Sequence, residues 1–126
     1  MIPTFTRAYE ASAAIEAHRI VEFSDVAASR KIAQADSNTS PLMGVSDVIG
    51  ADLGGMCDVH RGGTVTVKLG GTVSAGDPLT SDASGMAIAA AAAAATTVRI
   101  IGYADEPGVS GDLIDVFFSP GVLHQG

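Results

Sequence analysis

The stretch GGTVSAGDPLTSD, residues 70–82, contains the turn that decides the fold. Thr-Val at 72–73 favours a strand, and Ala-Gly-Asp-Pro at 75–78 breaks it, because Gly adopts positive φ and Pro fixes φ. Leu-Thr at 79–80 favours a second strand, and Ser-Asp at 81–82 favours another turn. This alternation of strands and tight turns is typical of a β scaffold.

The frame that contains this turn occurs twice. Moved back by 58 residues, IGYAD at 101–105 falls on MGVSD at 43–47. After one gap, GDLIDV at 111–116 falls on GGMCDV at 54–59. The alternative is a chance similarity between segments rich in Gly, Ala and Asp. We favour two pseudo-repeats that pack together as a small β-barrel or β-sandwich, because neither unit can bury its apolar face alone.

Composition and charge narrow the class of protein. The 126 residues are 47% hydrophobic but only 5% aromatic, and the formal net charge is −7. An acidic surface argues against nucleic-acid binding, which needs Lys and Arg at the phosphates. The single cysteine, Cys57, excludes an intrachain disulfide. The N-terminus has no signal-peptide pattern, and the longest apolar run, at 86–95, is shorter than a membrane span. We expect a soluble, non-secreted protein.

Apolar alternation predicts a series of strands. The clearest covers 64–69, with Val65, Val67 and Leu69 on one face, and Arg61-Gly62-Gly63 before it reads as a tight connection. The other predicted strands are at 21–24, 31–34, 42–45, 56–60, 86–88, 98–103 and 113–118. The fold class is therefore all-β.

The chain divides into three parts. Residues 1–14 lack a clear period and are predicted as an extended N-terminal arm, or else as a first strand. Residues 15–121 form one β-rich domain, with pseudo-repeats at about 15–63 and 72–121, and residues 122–126 form a C-terminal tail. The alanine run at 89–95 fits either one short helix or a surface loop.

The sequence contains no recognisable catalytic or metal-binding motif. Cys57 and His60 lie three apart on one predicted strand and therefore point to opposite faces, so they do not form a nucleophile and base. His18, His60 and His124 lack zinc spacing, and the carboxylates follow no calcium-loop pattern. No glycine pair is followed by the Lys-Ser/Thr of a phosphate loop. We expect no enzyme activity, no cofactor and no metal.

The segments AGDPLTSDASG at 75–85, RIIGYA at 99–104 and GDLIDV at 111–116 resemble the capsid cement, or head decoration, proteins of tailed bacteriophages. The resemblance covers residues 10–121 and is densest over 63–121. It implies a structural protein on the outer capsid surface of the virion, made in the host cytoplasm. It further implies a homotrimer that clamps neighbouring subunits of the major capsid protein, with no nucleic-acid or membrane partner.

Our own inference adds a contact site on the arm. Ile2, Phe5, Arg7 and Tyr9 could add a strand to an edge of the capsid or fill a groove there, and three such arms in a trimer would gain avidity. Contact with a sister subunit is the alternative for the same residues.

Three other functions remain open. One is another β-rich phage structural protein. A second is a lipoyl- or biotinyl-like carrier barrel, although Lys31 and Lys68, the two lysines, do not sit at a hairpin tip. The third is a small enzyme that uses Asp and His residues across the interface between the repeats.

Overall fold

The computed structural model describes residues 2–92 and 95–125. The regular secondary structure in these ranges consists of β-strands, without a helix. The all-β prediction is confirmed. The nine strands, in chain order, are β1 (Ile2–Glu10), β2 (Ile20–Phe23), β3 (Ile32–Gln34), β4 (Leu42–Ser46), β5 (Met56–Lys68), β6 (Pro78–Ser81), β7 (Ala87–Ala89), β8 (Thr96–Ala104) and β9 (Leu113–Gln125).

The strands form one sheet that curls into a half-barrel. Its order is β3-β2-β4-β5-β9-β8-β6-β7, and β1 lies beside β5. Every pairing between named strands is antiparallel. Strand β5 joins the two halves, because its first part pairs with β1 and β4 and its last part pairs with β9.

The two halves of the chain use the same backbone pairing. Ile15 and Ala51 exchange two hydrogen bonds of 2.8 and 2.9 Å, and Val73 and Gly108 exchange the corresponding pair at 2.9 and 3.1 Å. The hairpin of β2 and β3 is repeated by β6 and β7 with the same register. The internal repeat read from the sequence therefore appears in the hydrogen bonds as well as in the residue pattern.

The N-terminal residues belong to the first half of the repeat, because β1 pairs with β5 in the register in which β5 pairs with β9. Glu10 lies opposite Met56 on β5, as Lys68 lies opposite Leu113 on β9. Strand β1 thus pairs with the start of β5 in the first half in the same way as the end of β5 pairs with β9 in the second half. Residues 2–10, predicted as part of an arm, lie along β5 of their own chain.

Three local predictions differ from the structure. The connection expected at Arg61-Gly62-Gly63 lies inside β5, which continues because Gly63 takes a φ of 77° and the partner strand shifts register there. Residues 122–125, expected in the tail, form the end of β9 because they pair with β8. In the alanine run, Ala89 ends β7 and residues 90–92 are irregular, while residues 93–94 lie outside the described ranges.

Two apolar clusters form the core. The first belongs to the first half and comprises Tyr9, Ala11, Ile15, Val21, Ile32, Met43, Cys57 and Val59. The second contains the equivalent residues of the second half, among them Val67, Leu79, Ile114 and Val116. It also includes Ile20, Ala35 and Val45 of the first half, so burial of these side chains joins the halves.

The turn between β6 and β7 adds polar contacts between the halves. The Ile20 N–H donates to Gly85 O at 2.7 Å. Arg19 Nη1 and Gln34 Nε2 donate to Ser84 O at 2.9 and 2.7 Å. These bonds satisfy backbone carbonyls at a turn that would otherwise have to be hydrated.

We predict that Gly63→Ala destabilises the protein. A Cβ at this position would lie 2.3 Å from Ile2 O, and the backbone has positive φ. We expect the free energy of unfolding to fall by about 1–3 kcal/mol, measured by urea denaturation. Gly71→Ala is the control, because its Cβ would meet Ile88 Cγ2 at 3.6 Å. Equal stability of the two variants would contradict the prediction.

We also predict that Cys57 is inert in the folded protein. Burial, followed by the charges of Asp58 and Asp47, raises the pKa of the Cys57 thiol to about 11. A thiol reagent at about pH 8 should therefore leave the native protein unlabelled and label it fully in guanidinium chloride. Stoichiometric labelling of the native protein would show that the thiol is accessible and ionised.

Candidate functional site

The described residues contain no group of three or more His, Cys, Asp and Glu side chains that could hold a metal ion. No helix in these ranges is long and apolar enough to span a bilayer. A cleft of about 540 Å³ lies between the halves and is lined by Glu16, Ala17, His18, Arg19, Lys68, Gly111 and Leu113. It is open, and its lining includes no Ser, Thr or Cys that could act as a nucleophile.

His60 and Cys57 lie in different environments: His60 contacts polar side chains, and Cys57 is buried in the core. His60 Nδ1 shares a 2.8 Å hydrogen bond with Thr6 Oγ1 on β1, and its Nε2 lies 3.4 Å from Asp47 Oδ1. A hydrogen bond from the Val48 N–H lowers the pKa of Asp47, and His60 lowers it further, while burial opposes both. Cys57 lies in the first core cluster.

The four predicted contact residues of β1 do not share one environment. Ile2, Phe5 and Arg7 are exposed, whereas Tyr9 is 3% exposed and belongs to the first core cluster. Arg61 Nη1 donates to Tyr9 Oη at 2.9 Å, and the Tyr9 ring lies edge-on to Phe23 at 6.2 Å. Tyr9 therefore stabilises the fold, and of the four predicted contact residues only the other three are exposed.

Strand register places five residues in a row across the sheet. Ile2, Tyr103 and Phe117 are exposed and apolar, and Thr64 and Pro78 are half-buried. Ile2 lies opposite Thr64, Thr64 opposite Phe117, Phe117 opposite Tyr103, and Tyr103 opposite Pro78. Directly opposed residues of antiparallel strands project from the same face. We call these five residues the apolar row.

For Tyr103 and Phe117, comparison with the repeat shows that exposure is particular to the second half. Val45 and His60 occupy the positions equivalent to Tyr103 and Phe117, and they are 0% and 4% exposed. Tyr103 and Phe117 are 43% and 55% exposed. In the first half these positions are covered within the chain, whereas in the second half they face outward. Exposed aromatic side chains on a rigid sheet are typical of interaction surfaces.

Strand alternation in the sequence does not reveal the apolar row. Phe117 was assigned to a strand, but its neighbour Phe118 is also apolar and is buried. Alternation alone could not tell which of the two faces outward. The repeat carried a signal, because Tyr103 and Phe117 stand where the first half has the smaller Val45 and the polar His60.

Comparisons with known proteins agree with this architecture. A family model described as phage cement protein matches residues 3–116. Among solved structures, the N base of head fiber gp8.5 in bacteriophage phi29 is similar, with a TM-score of 0.67 and 24% identity over 91% of this chain and 93% of that chain. At this identity the likeness shows a shared fold. No curated protein sequence matches the chain.

The matched residues include most of the sheet, from β1 into β9, and therefore both halves of the repeat. The resemblance to cement proteins found in the sequence is confirmed, and the chain is a structural protein of the phage head that belongs to the phage cement protein family.

Proposed function

We propose that the protein decorates the phage capsid, binding the outer surface of the head and stabilising contacts between neighbouring major capsid protein subunits. It does so as a structural protein without enzyme activity. The observation that carries this proposal is the apolar row, in which Ile2, Tyr103 and Phe117 are exposed in a chain of the phage cement protein family. Such a surface would be buried when the protein docks on the shell.

Strand β1 adds a second means of attachment. Among the described residues β5 is the strand that pairs with β1, and residues 2–8 of β1 are exposed. A strand of this kind can accept an extended segment of another protein through its unpaired backbone groups. Ile2 belongs to both features, and Phe5 and Arg7 are exposed further along the same strand, so we propose these three as capsid contacts.

We further propose that three copies assemble on the head. A homotrimer presents three equivalent surfaces, and simultaneous contacts raise the apparent affinity without new contacts at any one site. The protein would be made in the host cytoplasm and bind heads there. The carrier-barrel alternative gains no support, because Lys68 lies within β5 and Lys31 Nζ lies 3.4 Å from Glu10 Oε2.

The test is co-sedimentation of the protein with expanded, empty heads of the matching phage across a salt series. We expect saturable binding at a fixed ratio per capsomer and heads that resist heat better. Failure of the wild-type protein to bind at any salt concentration would contradict the proposed function.

A double variant, Ile2→Ser with Phe5→Ser, tests the role of β1. Loss of two exposed apolar contacts should weaken head binding by about tenfold or more. Val26→Ser is the control, because Val26 is also exposed but lies outside β1. Removal of residues 1–9 would be a poorer test, because it also deletes Tyr9 from the core. Wild-type affinity in the double variant would show that β1 does not contact the head.

A further inference from the structure

The connection between β4 and β5 carries a second exposed apolar surface. It consists of Val48, Ile49, Leu53 and Met56, the first residue of β5. We call these four residues the apolar tip. Ile49 is 90% exposed, the largest exposed fraction among the exposed large hydrophobic residues of the described chain. Aliphatic side chains that are exposed to this extent lower the solubility of a protein, so their presence at the tip requires an explanation.

The repeat provides an internal control for the backbone of this loop. The Gly55 N–H donates to Asp52 O at 2.9 Å, and the Asp112 N–H donates to Val109 O at 3.0 Å in the equivalent loop. The Gly54 N–H donates to Ala11 O at 2.8 Å, as does the equivalent Gly111 N–H to Leu69 O. The two loops are therefore built on the same hydrogen bonds.

Their side chains differ where the tip is apolar. Between Asp47 and Ala51 the first loop has Val48, Ile49 and Gly50. Between the equivalent Asp105 and Gly108 the second loop is one residue shorter and has Glu106 and Pro107. Ser110 takes the place of Leu53. Met56 has another exposed apolar residue, Leu113, as its equivalent. Since the hydrogen bonds of the loop recur with Glu106, Pro107 and Ser110, the fold does not require the apolar side chains of Val48, Ile49 and Leu53. Their presence points to contact with another molecule.

Clefts on the surface of the tip could receive side chains of a partner. One of about 340 Å³ is lined by Ile15, Ile49, Gly50, Ala51, Asp52, Gly55 and Met56. A smaller one of about 80 Å³ is lined by Asp47, Ile49, Gly50, Met56 and Asp58. Ile49 and Met56 border both clefts, so they form the ridge between them.

Charge restricts the partner. Asp47, Asp52 and Asp58 line these clefts, and the lining contains no Lys or Arg. Two tips facing each other would bring like charges together, which disfavours self-association through this surface. The complementary surface is an apolar socket bordered by basic side chains on a different protein.

The tip is separate from the contact surface of β1. Ala11, just beyond the C-terminal end of β1, accepts a hydrogen bond from the loop, and Ile2 is at the other end. The nine residues of β1 extend about 26 Å at about 3.3 Å per residue. A single copy can therefore touch another protein at two separated points.

We propose that the apolar tip is a second docking surface, which inserts into an apolar, basic-bordered socket on the outer face of the capsid shell. This inference rests on the proposed function. Contact at the tip and at β1 would let one copy hold the shell at two places. The second contact then forms at high effective concentration, because the first has already brought it near.

The test measures head binding of a double variant that carries Ile49→Ser and Leu53→Ser. The control is Val109→Ser, in the equivalent loop of the second half. We expect the tip variant to bind heads about tenfold or more weakly and the control to bind as wild type. Thermal unfolding should be unchanged in both, because all three side chains are exposed.

A charge variant gives an independent readout. Asp52→Asn should reduce the salt dependence of head binding, because an exposed carboxylate that faces basic side chains is screened by salt. Sedimentation equilibrium of the free protein completes the test, and we expect the tip variant to keep the wild-type mass.

The outcomes separate the two proposals. If the wild-type protein does not bind heads, the proposed function fails and this inference fails with it. If wild type binds and both the tip variant and Asp52→Asn behave as wild type, only this inference is overturned. A change of mass in the tip variant would also overturn it, because the tip would then contact a second copy.

Discussion

The backbone pairing of β5 is the constraint on which the rest of the structure depends. Its first part holds β1 and β4, and its last part holds β9. A slip of one residue would turn Val65 and Val67 out of the core, so burial fixes the register. Gly63 lets β5 continue from the first half into the second. Its positive φ and the bulge in the partner strand β1 allow the chain to bend without ending the strand.

Comparison of the two halves then distinguishes positions that the fold requires from positions whose side chains can vary at the surface. Positions that keep the same hydrogen bonds in both halves belong to the framework. Positions that keep the backbone but change the side chain, such as Val45 and Tyr103, are free of that requirement. In the first half such a position is covered by the second half. In the second half the equivalent position, Tyr103, is exposed.

The sequence was sufficient for the strands and the repeat, because both depend on local alternation and on turn residues. It was insufficient for β5, since Arg61-Gly62-Gly63 has the composition of a turn and only pairing with β1 keeps it extended. It also placed Tyr9 among the contact residues, whereas burial against Phe23 and Arg61 is a tertiary effect. Alternation tells which side chains share a face, but whether that face is covered depends on the rest of the fold.

The positions of Ile2 and of the apolar tip bear on how a small protein could reinforce a shell. They lie at opposite ends of β1, and β1 is hydrogen-bonded to β5 from Ile2 to Glu10. A paired strand resists stretching, so the distance between the two contacts is fixed by the sheet rather than by a flexible linker. Flexible linkage would preserve avidity but would let neighbouring shell subunits move apart. Under the proposed function, stabilisation therefore requires the N-terminal residues to be part of the sheet, where the structure places them.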